Sequence, residues 1–191
     1  MNPLLSSFDT PFQTPPFHLI KTEHYKPAIE SLIEDSRDEI SKIISNNKPA
    51  SFNNTIEALE GTGRRLDEAA EIFFNLNSAE TDEEMQQLAA EISPMLTEFN
   101  NEIMQNADLF GRVKSVYDQA DKFALDDEQK MLLSKTYKGF IRSGANLSGA
   151  DKDCFKEISM SLSKLTLKFG ENVLAETNAF ELVLEDESDL A

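Results

Sequence analysis

The chain has 191 residues and a formal net charge of −17, with 35 acidic residues against 18 basic ones. This acidic balance argues against nucleic acid and against anionic membrane surfaces as partners. The single cysteine, Cys154, excludes an intrachain disulfide and a cysteine-based zinc module, and two histidines, His18 and His24, leave little scope for a histidine metal site.

Residues 1–21 are predicted to form an extended, proline-rich arm. They hold four of the seven prolines, and proline fixes φ and donates no backbone hydrogen bond. The arm is too apolar for a free tail, so we expect it to pack on the body. Its expected anchors are Leu4, Leu5, Phe8, Phe12, Phe17 and Ile20.

Residues 22–178 show helical periodicity almost throughout, which predicts an all-α lobe of about six helices. No run of 18 apolar residues and no signal peptide is visible, so a cytoplasmic location is expected. The predicted helices begin at Thr22, Asn54, Thr81, Ala107, Asp126 and Ser148, and the last runs to about Thr177.

Four local signals refine these helices. Gly63 lies on the apolar side of the second helix, which indicates a close helix contact. Thr81 is predicted to cap the third helix, Pro94 to kink it, and Gly144 to follow the end of the fifth. The sixth helix is expected to turn one apolar face inward, composed of Phe155, Ile158, Leu162, Leu165, Phe169 and Val173.

Residues 179–191 contain an alternating segment, Phe180–Leu184, that is typical of a strand. A lone strand is not stable by itself. We therefore interpret residues 179–191 as the start of a strand that leads into an absent part of a longer protein. A frayed acidic tail is the alternative.

No residue is assigned a catalytic or metal-binding role from the residues themselves. The acidic clusters occupy first turns of helices, where the helix dipole favours negative charge. Cys154 has no predictable basic neighbour and is expected to be a buried or half-buried, inert thiol. Lys135, Lys138 and Arg142 share one helix face. This face either lies in solvent, or pairs with the acidic second and third helices or with an acidic surface of absent sequence. The segment 51–106 contains 12 acidic residues and only two arginines.

Several stretches in chain order resemble the N-terminal part of the thimet-oligopeptidase family of zinc metallopeptidases. The bacterial peptidyl-dipeptidase branch is the most similar, and oligopeptidase A is a near relative. The stretches are 2–5 with 15–17 and 23–28, then 52–60, then 73–79, then 142–147 with 162–165 and 169–174.

The resemblance implies a non-catalytic helical lobe of a cytosolic enzyme that binds zinc through a His-Glu-x-x-His motif and a downstream Glu. In such an enzyme the zinc polarises the peptide carbonyl and activates a water, and the Glu takes its proton. That motif lies beyond this region, so the chain has no cofactor of its own and should be inactive alone. The lobe would form part of the wall of a channel for short peptides, and its partner would be the catalytic lobe of the same polypeptide. Substrate-binding residues cannot be assigned.

A stand-alone acidic helical module that binds a basic partner is the alternative function. The natural reading frame separates the two hypotheses. A frame that ends at Ala191 favours the module, whereas one that continues to a His-Glu-x-x-His helix favours the peptidase.

Overall fold

The computed structural model describes residues 2–183, 186 and 188, and its regular structure there is helical, which confirms the all-α class. Six α-helices have 12 or more residues: α1 (Thr22–Ile44), α2 (Arg64–Ala79), α3 (Glu83–Met104), α4 (Ala107–Asp118), α5 (Asp127–Arg142) and α6 (Gly149–Ala179). Shorter elements are 3-10 turns at Pro3–Leu5, Pro11–Gln13 and Ala120–Lys122, a π-helix at Phe52–Glu57 and one α-turn at Ala58–Glu60. Within the described residues, none of the helices combines the length and the apolar character that crossing a bilayer would take.

Two hydrophobic cores lie side by side, and α1 contributes to both. The first core joins the N-terminal half of α1 to α2 and α3 around the fully buried Phe73. The second joins the C-terminal end of α1 to the π-helix, α4 and α5 around Phe140. Ile103 of α3 packs against both clusters and links them. The apolar sides predicted for the first five helices are therefore confirmed as the core.

The N-terminal arm is attached at three of its six predicted anchors. Leu4 is buried, and Phe8 and Ile20 pack against the first core. The Asn2 side-chain amide donates to the carbonyl oxygen of His24 at 2.7 Å, which holds the start of the arm against α1. Three predicted anchors point instead to solvent, since the arm turns in 3-10 steps rather than running extended: Leu5, Phe12 and Phe17.

The second predicted helix is interrupted, so its continuity from Asn54 to Leu76 was a wrong prediction. The backbone of Gly63 has φ +75°, which ends the helical path, and α2 begins only at Arg64. Gly63 does make the predicted close contact with another helix. A Cβ atom added at Gly63 would lie 3.5 Å from the Ser36 hydroxyl oxygen of α1. Its N–H also donates to Glu39 Oε2 at 2.9 Å.

Helix caps follow the predicted sites with two corrections. Helix α6 begins after Ser148 as predicted, but that side chain makes no capping hydrogen bond. Asp82, not Thr81, caps α3 by accepting from the Met85 N–H at 2.8 Å. Thr81 donates to Asn77 Oδ1 instead, so it joins the α2–α3 connection. Asp126 caps α5 as predicted, and Gly144 has φ +85° just after that helix.

The strand predicted at Phe180–Leu184 is not formed over its described residues. Phe180–Val183 are exposed and irregular after α6 ends at Ala179, and Leu184 lies outside the described residues. An alternating segment becomes a strand only when another strand satisfies its backbone groups. The division into 1–21, 22–178 and 179–191 stays a prediction.

Substituting Gly63 with Ala should lower the free energy of unfolding by about 1 kcal/mol, because a Cβ disfavours the left-handed conformation. Gly111→Ala is the matched control. Gly111 lies inside α4, and the space that an added Cβ would take there is open, so the gain in helix propensity should stabilise the protein by up to about 1 kcal/mol. Urea unfolding measures the change in the free energy of unfolding of each variant. Changes of the same sign in the two variants would contradict the assignment of Gly63 as a required helix break.

Candidate functional site

The longest helix carries its apolar side outward. Residues of α6 at heptad-like spacing are 49–71% exposed, and we call them the outward apolar face: Ile158, Leu162, Leu165, Phe169 and Val173. The prediction that these residues point inward was wrong. Only Phe155, the first of the predicted set, is half-buried. The exposed apolar residues continue past the helix end at Phe180, Leu182 and Val183.

An extensive and partly polar contact with α3 holds α6 in place. The hydroxyls of Ser93 and Ser163 are 2.7 Å apart across the two helices. The Lys152 ammonium donates to the carbonyl oxygen of Gln105 at 2.9 Å. Leu167 adds a partly buried apolar contact. None of the 31 residues of α6, all of which are described, is fully buried.

A groove of about 720 Å³ runs between α6 and the α2–α3 pair, next to the outward apolar face. Glu171 is the one charged residue among its described lining residues. Most of its polar groups are hydroxyls, which both donate and accept hydrogen bonds and carry no net charge. They come from Ser78, Thr81, Ser93, Thr97, Ser159, Ser163 and Thr166. This groove can hold a neutral segment of polypeptide but supplies no acid–base pair.

A second groove, of about 500 Å³, lies where α3 ends and α6 begins, and it carries Lys152 and Lys156. Gln105 lines it and is buried, and its Oε1 has no hydrogen-bond partner among the described residues. That oxygen is shielded from solvent, and Lys152 is already used to bind the Gln105 carbonyl. Glu98 and Glu102 line the same groove, so it is a helix junction with a rim of mixed charge.

The candidate chemical groups named from the sequence do not come together. His24 Nδ1 accepts from the Lys21 N–H at 3.0 Å and so closes the first turn of α1, whereas His18 is exposed in the arm. Cys154 is exposed on α6, which corrects the prediction of a buried or half-buried thiol. Across the described part of the chain, no three His, Cys, Asp or Glu side chains are grouped so that they could hold a metal ion.

The acidic helix α3 finds its basic partners on α1. Lys26 pairs with Glu91 at 2.7 Å. Arg37 contacts both oxygens of Glu102, and it lies 5.7 Å from the centre of the Phe99 ring. The hydrogen bond to the Glu102 carboxylate raises the pKa of Arg37. These bonds join α1 to α3 outside the first core.

The basic face of α5 takes no part in that pairing. Lys135, Lys138 and Arg142 are exposed and form no ion pair with any residue that the structure describes. Of the two interpretations of this face, the structure favours a solvated one. Sequence reasoning missed the outward apolar face. The sequence does contain a signal of it, because small polar residues on the neighbouring side of α6 indicate that this other side also packs against a helix.

Comparison with known proteins finds peptidases along the whole chain. Dipeptidyl carboxypeptidase of Escherichia coli (strain K12) is 35% identical over 191 residues, which are 100% of this chain and 28% of that protein. Oligopeptidase A of Haemophilus influenzae is 30% identical over 93% of this chain and 26% of its own length. Oligopeptidase A of E. coli is 27% identical over the full chain. No protein-family model matches the chain.

The chain thus spans little more than a quarter of the length of these relatives. The resemblance to the thimet-oligopeptidase family is confirmed.

Arg37→Gln should lower the free energy of unfolding by about 1 kcal/mol, because it removes the bonds to Glu102 and the contact with Phe99. Lys135→Gln with Lys138→Gln is the matched control and should change it by less than about 0.5 kcal/mol. Urea unfolding at low salt and at 1 M salt measures both. The Arg37 effect should shrink at high salt, where the Debye length is about 3 Å. A loss of unfolding free energy larger than about 0.5 kcal/mol in the lysine variant would instead support pairing of the α5 lysines with acidic residues of this chain.

Proposed function

Because the chain is homologous to dipeptidyl carboxypeptidase and oligopeptidase A of the thimet-oligopeptidase family, we propose that it is the N-terminal helical lobe of a zinc metallopeptidase. The enzyme would remove C-terminal dipeptides from short peptides. The observation that carries this proposal is the continuous match of all 191 residues to 28% of a dipeptidyl carboxypeptidase. The higher identity to that relative than to the oligopeptidases A supports the peptidyl-dipeptidase branch.

We assign this lobe a non-catalytic role. The described side chains do not fit a zinc site, because no three of their His, Cys, Asp and Glu residues are grouped so that they could hold a metal ion. Carboxylates at helix starts serve as caps, as Asp82 and Asp126 do. No catalytic step is therefore assigned to this chain, and the metal chemistry would belong to the remainder of the polypeptide.

We propose that the lobe contributes to activity by excluding wide or folded substrates from the channel. A lobe built on two close-packed cores deforms little, so it can form one wall of a channel that admits only narrow, flexible peptides. The ion pairs from α1 to α3 add to this rigidity, since each joins two helices that share the first core. A cytoplasmic location is proposed on the strength of the family resemblance.

The alternative of a stand-alone acidic module receives less support. Two acidic residues of the segment 51–106, Glu91 and Glu102, are already engaged by bases of α1. The continuous match to larger enzymes also favours a lobe over a complete module.

A segment exchange tests the proposed function. The 191 residues would replace the matching 28% of E. coli dipeptidyl carboxypeptidase, and release of a C-terminal dipeptide from a short peptide would be measured. We expect the chimera to be active and the purified 191-residue chain to be inactive with or without added zinc. The E. coli enzyme without the exchanged segment is the control and should be inactive.

Zinc-dependent hydrolysis by the 191-residue chain alone would contradict the proposed non-catalytic role. An inactive or unfolded chimera would contradict the assignment to this enzyme class.

A further inference from the structure

We infer that the outward apolar face of α6 is the docking surface for an amphipathic helix from the remainder of the longer polypeptide. This inference rests on the proposed function and names the surface that joins the two parts. It goes beyond the homology, which says nothing about how the lobe is attached.

The spacing of the face suits one helix. Its residues follow one another at intervals of four, three, four and four, which keeps them on one side of α6. At 1.5 Å per residue, the distance along the helix from Ile158 to Val173 is about 22 Å. A partner helix of four turns, crossing at about 20°, would cover that length with its own apolar side.

The outward apolar face is not used in the packing of this chain. Single exposed apolar residues are common on proteins, but a contiguous row of large ones marks an interaction surface. The body holds α6 through a different side, which carries Ser163 and Leu167. The outward apolar face is therefore free of any contact that the described part of the chain needs.

The two borders of the face indicate the chemistry of the partner. One border carries Lys164 and Lys168, with Glu157 one heptad before Lys164. Lys168 pairs with Glu171 at 3.1 Å, whereas Lys164 has no ion-pair partner among the described residues. The other border is formed by Ser159, Thr166 and Gly170 beside the hydroxyl-lined groove. We expect a helix with an apolar seam, an acidic residue toward Lys164, and side chains that enter the groove on the other border.

The remainder of the same polypeptide is a better occupant than a second copy. The relatives have more than twice as many residues outside the matched segment as inside it, so they contain ample sequence to cover one helix face. A second copy would bring another net charge of −17 to the interface, and such repulsion opposes association.

The test uses the chimera with E. coli dipeptidyl carboxypeptidase and the 191-residue chain. L165E/F169E places two carboxylates on the outward apolar face, and L165A/F169A removes apolar contact without adding charge. M131E is the matched control, because Met131 is an apolar residue on α5 with a comparable exposure of 58%. Each variant is assayed for dipeptide release and for resistance to limited proteolysis in the chimera. Melting temperature and sedimentation are measured in the 191-residue chain.

We expect L165E/F169E to reduce the activity of the chimera by about tenfold or more, because a charge in an apolar interface is left unpaired. L165A/F169A should have a smaller effect in the same direction, and M131E should stay within about twofold. The melting temperature of the 191-residue chain should be unchanged in all three variants, since these side chains are already in solvent.

An active chimera whose activity and protease resistance are unaffected by L165E/F169E would overturn the inference and leave the proposed function standing. Dimers of the 191-residue chain that L165E/F169E dissociates would assign the face to a second copy and also overturn it. An inactive wild-type chimera would overturn the proposed function, and this inference would fall with it.

Discussion

The apolar side of α1 is the constraint on which the arrangement of the other helices depends. Ile29 and Leu32 belong to the first core, and Ile40 and Ile43 belong to the second. One helix of 23 residues, about 35 Å long, therefore fixes the distance and angle between two groups of helices. The C-terminal end of α3 adds a second link to α5, through Ile103, Met104 and the bond from the Gln105 amide to the Ser143 carbonyl oxygen.

Ser36 lies between the two groups and shows why α1 can serve both. It is buried, and its hydroxyl donates to the carbonyl oxygen of Leu32 within the helix. Its small side chain leaves room for the break at Gly63 to approach. That break lets the chain leave the second core at the π-helix and enter the first core at α2. A local irregularity of the backbone thus connects two regular cores.

The interactions that attach the helices differ in kind along the chain. The α1–α3 contact combines a shared core with ion pairs from Lys26 and Arg37. Arg112 secures the connection before the π-helix, since its guanidinium donates to the carbonyl oxygen of Asn46 and to Asn54 Oδ1. By contrast, α6 lies against α3 in the most extensive helix–helix contact among the described residues. That contact contains one hydroxyl pair, one lysine bond and only partly buried side chains. Low burial is typical of elements with low local stability, so α6 is the helix to which further apolar burial would add most.

Some elements could be predicted from the sequence because their cause is local. The caps at Asp126 and Gly144 depend on side-chain and backbone preferences within a few residues, and both are confirmed. The apolar sides of α1 and α4 could be predicted because an apolar helix side is stable when it packs against the apolar sides of neighbouring helices. Thr81 and Asp82 are both good caps, and only the approach of Asn77 at 3.0 Å decides between them.

The sequence by itself determined the helical class and the core residues of the first five helices, because hydrophobic periodicity expresses them directly. The resemblance to a peptidase family came from matching stretches of sequence and not from periodicity. Tertiary structure decided where a helix is interrupted and whether the apolar side of α6 is buried. Gly63 fits a helix interior by spacing, yet with its φ of +75° it is the N-cap residue that precedes α2. Ile158, Leu165 and Phe169 have the spacing of a core, yet they face solvent. An amphipathic pattern predicts that one side of a helix is suited to burial. Only the three-dimensional arrangement shows whether the same 191 residues supply the surface that buries it.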